Sequence, residues 1–244
     1  MRRAHAVAVF AAFLASAAAT CALAQTAGAV AAPALSKFLK PSDLDPSLIL
    51  PPPPRDDDPA AVEGRAELHR IAATRTPARL AQARQDDELE NVRAIAAPLG
   101  PAFSLARLPA TAKLFADLRN EDSVAAKRAK AYFKRERPYI LDRPLNVCDD
   151  GHDRRNSYPS GHATMAWSAA AALSNLIPAK AQIILARASD YAESRLVCGV
   201  HYRSDIEAGH VLGSVLVAWL MTKSAFRAEM EAARVELRAM PLSQ

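Results

Sequence analysis

Apolar residues recur at helical spacing through most of the chain after residue 60, and this periodicity restricts the fold more than any other feature. Leu80, Ile95 and Ala96, for example, stand among charged residues at the spacing of an amphipathic helix. One helix is predicted to end at the Arg137-Pro138 pair, because proline cannot continue a helix. Helices are predicted over residues 60–75, 79–97, 123–136, 162–177, 179–196, 205–222 and 226–237.

Signals for β-strands are missing from the sequence. Asp150-Gly151 is the sole Asp-Gly pair, and the residues on either side of it do not alternate as strand residues do. The most apolar segment, residues 211–221, is shorter than the ~20 residues that a membrane span needs. The sequence therefore predicts a single all-α domain in which this segment is a buried core helix.

The first 24 residues follow the pattern of a secretory signal peptide. Arg2 and Arg3 give a positive start, and an apolar stretch covers residues 6–19. Ala22-Leu23-Ala24 then forms a small-x-small cleavage site. We expect cleavage after Ala24, export to the periplasm and no membrane span in the mature chain. The alternative reading is an uncleaved membrane anchor.

A proline-rich leader is predicted over residues 25–60, followed by the helical domain over residues 61–244. Residues 51–54 are four consecutive prolines, which force an extended polyproline conformation. The leader is expected to be either strapped over the domain or loose.

The charge balance argues against binding to nucleic acid. The chain has 31 Lys and Arg residues and 26 Asp and Glu residues, a net charge of +5. Removal of a signal peptide that carries Arg2 and Arg3 would leave +3, an ordinary surface, so no nucleic-acid partner is expected.

Two cysteines remain after the predicted cleavage, since Cys21 lies in the signal peptide. In an oxidising periplasm, an isolated pair such as Cys148 and Cys198 favours a disulfide bond. Two buried thiols are the alternative.

Three clusters of residues have side chains that could take part in a reaction. The first cluster is Lys130 with Arg137 and Pro138. Arg137 lies seven positions after Lys130, so two helical turns are predicted to place the two cations on one face. Taken alone, the segment also fits an ordinary solvated basic face together with Lys127, Lys134 and Arg135.

The second cluster, residues 157–162, opens an apolar helix with the sequence Ser-Tyr-Pro-Ser-Gly-His. Ser160 is a typical N-cap residue, and Gly161 lets another group approach the backbone. A helix N-terminus attracts anions through its free N–H groups and its dipole. His162 at this place could give a proton to a bound group.

The third cluster runs from Ser194 to Asp205. His201 and Asp205 are four residues apart, so the carboxylate can accept a hydrogen bond from one imidazole nitrogen and leave the other for nucleophilic attack. Arg195 adds a forked donor suited to phosphate oxygens. A structural His–Asp pair near a helix start is the alternative.

Together the clusters resemble the signature of the type-2 phosphatidic acid phosphatase superfamily, which includes the vanadium haloperoxidases. The signature reads K-x6-R-P, then P-S-G-H, then S-R-x5-H-x3-D, and every fixed position is present here in that order. Within the superfamily, the chain resembles the class A bacterial non-specific acid phosphatases, which are secreted all-helical enzymes. Their middle motif usually reads G-S-Y-P-S-G-H-T, whereas this chain has Asn156 and Ala163 at its two ends.

The resemblance implies an acid phosphatase that hydrolyses phosphate monoesters of broad specificity through a phosphohistidine and can transfer phosphate to alcohols. It implies that His201 attacks phosphorus, that Asp205 stabilises the resulting imidazolium, and that His162 protonates the leaving alcohol and later activates water. The residues implied to bind the phosphoryl oxygens are Lys130, Arg137, Ser160, Gly161 and Arg195. Because fixed cations can balance the transition-state charge, no metal or other cofactor is expected. A homodimer is implied by the resemblance alone.

Other functions remain open at this stage. They are a vanadate-dependent haloperoxidase, a phosphate-binding protein without turnover, and a membrane lipid phosphatase.

Two further histidines are expected to take no part in the reaction. His210 is predicted to be structural, and His152, beside Asp149, Asp150 and Asp153, is predicted to lie in a polar loop at the pocket rim instead of binding a metal.

Overall fold

The computed structural model describes residues 35–43, 45–148 and 153–240, and this part of the chain contains α-helices and short 3-10 turns but no β-strand. The predicted all-α fold is confirmed. The predicted signal peptide and His152 lie outside the described residues. The α-helices are α1 (Pro46–Ile49), α2 (Pro59–Thr74), α3 (Pro77–Glu88), α4 (Val92–Ala96), α5 (Pro109–Phe133), α6 (Pro138–Leu141), α7 (Gly161–Leu176), α8 (Ala181–Val197), α9 (Arg203–Leu220) and α10 (Ser224–Arg238).

The single helix predicted over residues 79–97 is wrong, because residues 89–91 separate α3 from α4. Asn91 is extended and its side chain accepts a hydrogen bond from the backbone N–H of Arg93, so it starts a new helix as an N-cap. The carbonyl of Leu89 in the break accepts a hydrogen bond from the Tyr191 hydroxyl at 3.1 Å. The break is therefore held by a contact with α8 that the local pattern does not contain.

Helix α5 begins at Pro109, well before the predicted start at residue 123. Proline suits the first helical position, where its missing N–H costs nothing. The next two backbone N–H groups, of Ala110 and Thr111, both donate to the Glu236 carboxylate at 2.8 Å. This cap comes from α10, 125 residues away from Thr111, so the charge pattern around residue 109 gave no sign of it.

The end of α5 also differs from the prediction. The helix ends at Phe133, and Lys134 adopts a left-handed conformation with φ of +50°. Arg137 consequently lies outside α5 and precedes α6, so the prediction that Lys130 and Arg137 share one helix face is wrong. The turn brings Arg137 back toward the residues before α9 instead.

Helix α7 lies at the centre of the domain and packs against α5, α8 and α9. Two glycines allow α9 to come very close to it. A Cβ atom at Gly209 would lie 2.7 Å from the Ala163 Cβ atom and 2.8 Å from the Ser160 carbonyl oxygen, and one at Gly213 would collide with the Thr164 carbonyl oxygen. The first turn of α7, which carries the second sequence cluster, is thereby fixed against α9.

The described part of the predicted leader packs against the helical domain. The Glu121 carboxylate of α5 accepts hydrogen bonds from the Ser36 hydroxyl at 2.5 Å and from the Lys37 backbone N–H at 2.6 Å. Leu39 and Leu50 are buried in the core, and the carbonyl of Pro51 accepts a hydrogen bond from the Tyr158 hydroxyl at 2.7 Å. This segment is thus packed on the surface of the helical domain and is not detached from it.

Cys148 and Cys198 form a disulfide bond, as predicted. The bond joins the loop after α6 to the end of α8, near the third sequence cluster. In the chain-entropy model, closing a loop of about 50 residues contributes on the order of 4 kcal/mol to stability.

Within the described residues, no single helix has both the length and the apolar character needed to cross a membrane, whereas α9 and α10 taken together do, with a bend of 97° between them.

We expect Asp122 to make the stability of the domain depend on pH. It is fully buried on α5, its Oδ1 atom has no hydrogen-bond partner among the described residues, and burial raises its pKa to about 8. An unfolded chain ionises this group near pH ~3.9, so between about pH 4 and pH 8 the folded state binds more protons and stability falls as pH rises. From pH 5 to pH 8 this group alone should lower the free energy of unfolding by on the order of 3 kcal/mol.

Urea unfolding of Asp122→Asn at pH 5 and pH 8 tests this expectation. The substitution should remove most of the difference between the two pH values, because the amide does not ionise. Asp57→Asn, at an exposed aspartate, is the control and should keep the difference. An Asp122→Asn protein with an unchanged pH dependence would contradict the prediction.

Candidate active site

The three sequence clusters meet in one cavity of about 240 Å³. Its lining combines the break between α3 and α4, α5, the turn before α6, the segment before α7 with the first turn of α7, the last turn of α8 and the residues before α9. The lining residues are Glu90, Arg119, Ser123, Ala126, Lys127, Lys130, Arg137, Asn156, Gly161, His162, Arg195 and His201. A larger groove of about 420 Å³ beside α4 contains none of the cluster residues, so volume alone does not mark the site.

His201 and Asp205 form a buried pair at the base of the cavity. His201 is 1% exposed, and its Nδ1 atom lies 3.3 Å from Asp205 Oδ2. Asp205 is in the first turn of α9, and the same Oδ2 atom accepts a hydrogen bond from the Tyr202 backbone N–H at 2.9 Å. The contact fixes the ring orientation and assigns the Nδ1 proton to the carboxylate side.

Arg137 faces the other imidazole nitrogen. Its Nη1 atom lies 3.2 Å from His201 Nε2 and also donates to the Val200 carbonyl at 2.8 Å. Its Nε atom donates to the Asn156 side-chain oxygen at 3.0 Å. Burial is the main cause that lowers the pKa of Arg137, to about 10, so the side chain is still a cation at neutral pH.

Lys130 brings a second positive group from α5 into the same cavity. Its Nζ atom donates to the Asn156 carbonyl oxygen. Burial, followed by the nearby charge of Arg137, lowers the pKa of Lys130 to about 7. Both causes reflect a site that concentrates positive charge with little water to screen it.

Arg195, in the last turn of α8, is fully buried. Its Nη1 atom lies 2.7 Å from Asp87 Oδ1, while its Nε atom has no hydrogen-bond partner among the described residues. A buried N–H group without a partner is costly, and an anion in the cavity would relieve that cost.

His162 stands on the first turn of α7, across from His201. Its Nε2 atom is 3.1 Å from the Asp87 carbonyl oxygen, and its Nδ1 atom is 3.7 Å from Glu90 Oε1. Burial, followed by the charge of Arg195, lowers the pKa of His162 well below its usual value. Without a bound anion, this imidazole is therefore neutral at pH 7.

Ser160 and Gly161 take different positions. Ser160 is the N-cap of α7: its hydroxyl accepts a hydrogen bond from the Ala163 backbone N–H at 3.3 Å, and it is not among the residues that line the cavity. Gly161 does line the cavity, where an added Cβ atom would lie 3.8 Å from Glu90 Oε1. Of these two residues predicted to bind phosphate, the structure brings Gly161 to the cavity wall and leaves the Ser160 hydroxyl at the helix cap.

Sequence reasoning missed Arg135, because the local charge pattern also fits a solvated basic face that includes it. Arg135 is instead 5% exposed, and its Nη1 atom donates to Asp205 Oδ1 at 2.7 Å. Its guanidinium lies over the Tyr202 ring at 4.0 Å. Ser157 was also missed as a site residue, although its hydroxyl donates to Asp205 Oδ2 at 2.6 Å.

Three further residues of the site had no sequence signal at all. Asp87 and Glu90 come from the end of α3 and the break after it, and Arg119 binds Glu90 with a nitrogen-to-oxygen distance of 2.9 Å. They belong to no motif. Their role depends on where α3 docks, which the local sequence does not encode.

Comparison with known proteins agrees with these observations. The model of the PAP2 superfamily matches residues 110–229. An acid phosphatase of Zymomonas mobilis is 35% identical over 199 residues, which cover 79% of this chain and 75% of that protein. A non-specific acid phosphatase of Salmonella typhimurium is 34% identical over 196 residues, 77% of this chain and 78% of that protein. The chain belongs to the acid phosphatases of the PAP2 superfamily.

The predicted family and enzyme class are therefore confirmed. Among solved structures, the first transmembrane PAP2 type phosphatidylglycerolphosphate phosphatase from Bacillus subtilis is similar over 68% of this chain and 87% of that chain, with 19% identity and a TM-score of 0.46.

The two other histidines in the described part of this PAP2 acid phosphatase, His69 and His210, have partners outside the site. His69 Nε2 pairs with Asp142 Oδ2 at 2.7 Å outside the cavity, and the exposed His210 stacks on Trp167 with ring centroids 3.6 Å apart. Within residues 35–43, 45–148 and 153–240, no group of three or more His, Cys, Asp or Glu side chains is arranged to hold a metal ion.

Proposed function

We propose that this PAP2 acid phosphatase hydrolyses phosphate monoesters of broad specificity through a covalent phosphohistidine at His201, without a metal ion. The observation that carries the proposal is the placement of His201 between two partners. Asp205 lies on its Nδ1 side at 3.3 Å, and Arg137 lies 3.2 Å from Nε2, at the base of a cavity lined by further cations.

The first chemical step is attack by His201 Nε2 on phosphorus. A bond forms between nitrogen and phosphorus while the bond to the leaving oxygen breaks. Asp205 stabilises the imidazolium that develops, and Lys130, Arg137, Arg195 and the Gly161 backbone surround the phosphoryl oxygens. These fixed charges are oriented before the reaction, which favours a transition state with charge spread over the equatorial oxygens.

His162 acts as the acid in the first step and as the base in the second. Its ring lines the same cavity as His201, so an imidazole that is protonated while the substrate anion is bound can give its proton to the leaving oxygen as the bond to phosphorus breaks. The neutral imidazole then removes a proton from the water that attacks the phosphohistidine. An alcohol in place of that water would receive the phosphate, which gives the transfer activity that we also propose.

The broad specificity follows from where the cations lie. The charged groups near His201 recognise the phosphoryl group, which all monoesters share. Beyond Lys130, the wall of the cavity is one face of α5, formed by Arg119, Ser123, Ala126 and Lys127. These side chains offer no apolar pocket that would select one leaving group.

Export to the periplasm is the location that we propose. The disulfide between Cys148 and Cys198 supports it, because such bonds persist in oxidising compartments. The signal peptide predicted over residues 1–24 would direct the export.

The binding of a dianion should be coupled to proton uptake. In the ligand-free enzyme at pH 7.5, most Lys130 side chains are neutral because burial lowers their pKa to about 7. A dianion beside the amine raises that pKa, so sulfate binding should take up about 0.5 to 0.8 proton per site. Calorimetric titration with sulfate in two buffers of different ionisation enthalpy measures this number.

Two variants make the measurement specific to Lys130. Lys130→Met should remove most of the proton uptake, and Lys113→Met, at an exposed lysine of the same helix that does not line the cavity, should retain it. Equal uptake in Lys130→Met and the wild-type enzyme would show that another group takes the proton.

The covalent intermediate can be trapped. His162→Ala should slow hydrolysis of the intermediate more than its formation from p-nitrophenyl phosphate, because p-nitrophenolate leaves without a proton. After quenching in alkali, in which phosphohistidine survives, mass spectrometry should find phosphate on the peptide that contains His201. The double variant His162→Ala/His201→Ala should carry none. Phosphate on a different residue would refute the proposed mechanism.

A further inference from the structure

The carboxylate of Asp205 is held mainly by groups other than His201. Its Oδ2 atom accepts from the Ser157 hydroxyl at 2.6 Å and from the Tyr202 N–H at 2.9 Å, whereas His201 Nδ1 is farther away, at 3.3 Å. Its Oδ1 atom accepts from Arg135 Nη1 at 2.7 Å. The position of the carboxylate therefore depends on these neighbours, and the orientation of His201 depends on the carboxylate.

We propose that Arg135 is a positioning residue for the nucleophile, which acts through Asp205 to hold His201 in its attacking orientation. The inference rests on the proposed function of His201. Arg135 does not line the cavity in which the phosphate would bind, so its effect on catalysis passes through the carboxylate.

Arg135 is itself held in one conformation. Its Nη1 atom bridges Asp205 Oδ1 and the Ser204 hydroxyl, both at 2.7 Å, and its guanidinium stacks on Tyr202. Its carbonyl accepts a hydrogen bond from the Ser157 N–H at 3.1 Å. Arg135 thus supports Oδ1 directly and supports Oδ2 through the backbone that carries the Ser157 hydroxyl.

Charge balance gives the physical reason for a second cation at this carboxylate. Asp205 is fully buried, and a buried carboxylate is costly unless a positive group accompanies it. His201 cannot supply that charge in the resting enzyme, because the imidazole must be neutral to attack phosphorus. Arg135 can, since its guanidinium is a cation whose Nη1 atom donates directly to the carboxylate at 2.7 Å.

Arg135 also forms part of the wall of a separate groove on the outer surface, with a volume of about 390 Å³. Pro53, Pro54, Lys134 and Arg155 line the same groove. Shortening Arg135 to alanine would therefore leave a space beside Asp205 that opens to this surface groove and is large enough for a guanidinium ion.

The test compares Arg135→Gln, Arg135→Lys and Arg135→Ala with the wild-type enzyme, using p-nitrophenyl phosphate and inhibition by inorganic phosphate. A misplaced nucleophile should lower kcat of Arg135→Gln by about 10²-fold, while KM and the inhibition constant of phosphate change by less than about threefold. Arg135→Lys keeps the positive charge but loses the forked guanidinium donors, so its kcat should lie between those of Arg135→Gln and the wild-type enzyme. Millimolar guanidinium should raise the kcat of Arg135→Ala by at least about tenfold.

Arg155→Gln is the matched control, because it removes an exposed guanidinium of the same outer groove without touching Asp205. It should keep wild-type kcat and show no response to guanidinium. Melting temperatures of all variants separate loss of folding from loss of catalysis. If Arg135→Gln does not fold, Arg135→Lys carries the test with the same split between kcat and phosphate affinity.

Two results would overturn the inference. One is a folded Arg135→Gln or Arg135→Lys enzyme with wild-type kcat. The other is a loss of phosphate affinity as large as the loss of kcat, since this would make Arg135 a phosphate-binding residue. Failure of the proposed function looks different: there, His201→Ala itself would keep its activity.

Discussion

His201→Ala should lower kcat for p-nitrophenyl phosphate by at least about 10³-fold, the scale of loss when a covalent nucleophile is removed. The reason is that no neighbouring group can replace Nε2 at its place beside Arg137. Steady-state rates at the pH optimum measure the effect. Inhibition by inorganic phosphate should persist in the variant, because the surrounding cations remain.

The chain offers a matched control in a second His–Asp pair. His69 lies 2.7 Å from Asp142 on the surface, outside the cavity. His69→Ala removes an imidazole from such a pair and should leave kcat within about twofold of the wild-type value. Residual activity of His201→Ala within about tenfold of the wild type would defeat the assignment of His201 as nucleophile.

Asp205→Asn should cost about 10³-fold or more in kcat and should also destabilise the fold. Oδ2 receives donors from Ser157, Tyr202 and His201, and Oδ1 receives one from Arg135. An amide has one NH2 group, which must face either the three donors or the guanidinium. Either orientation places a donor against a donor inside the protein, so both the geometry of His201 and the stability suffer.

Rates, melting temperature and phosphate inhibition should be measured together for Asp205→Asn. Asp142→Asn is the control, because it makes the same change in the surface pair with His69. It should retain activity and lose little stability. An Asp205→Asn enzyme that turns over like the wild type would mean that the carboxylate plays no part in the chemistry.

The acid preference of the enzyme is expected from the charge of the cavity. The pKa values of Lys130 and His162 are lowered chiefly by burial and then by neighbouring cations, so both groups lose their protons readily in the free enzyme. A bound substrate anion raises the pKa values of both groups again, and a low pH also favours their protonated forms. The acidic and alkaline limbs of the rate profile will therefore report coupled groups instead of single residues.

Local sequence rules were reliable where the cause is local. The helical period predicted most of α2, α7, α8, α9 and α10 to within a few residues, because one buried face is enough to specify a helix. The rules were wrong at the two ends of α5 and at the break between α3 and α4. There the deciding contacts were Glu236 with the start of α5 and Tyr191 with Leu89, both between distant segments.

The site divides in the same way. The sequence by itself determined which residue types can do the chemistry, because the spacing of Lys130, Arg137, His162, Arg195, His201 and Asp205 forms a recognisable pattern. Only the tertiary structure decided which groups surround them. Arg135 and Asp205 are 70 residues apart, and Asp87 reaches Arg195 from a different helix. Such contacts depend on how helices dock, and a motif, which is a statement about neighbours along the chain, carries no information about neighbours in space.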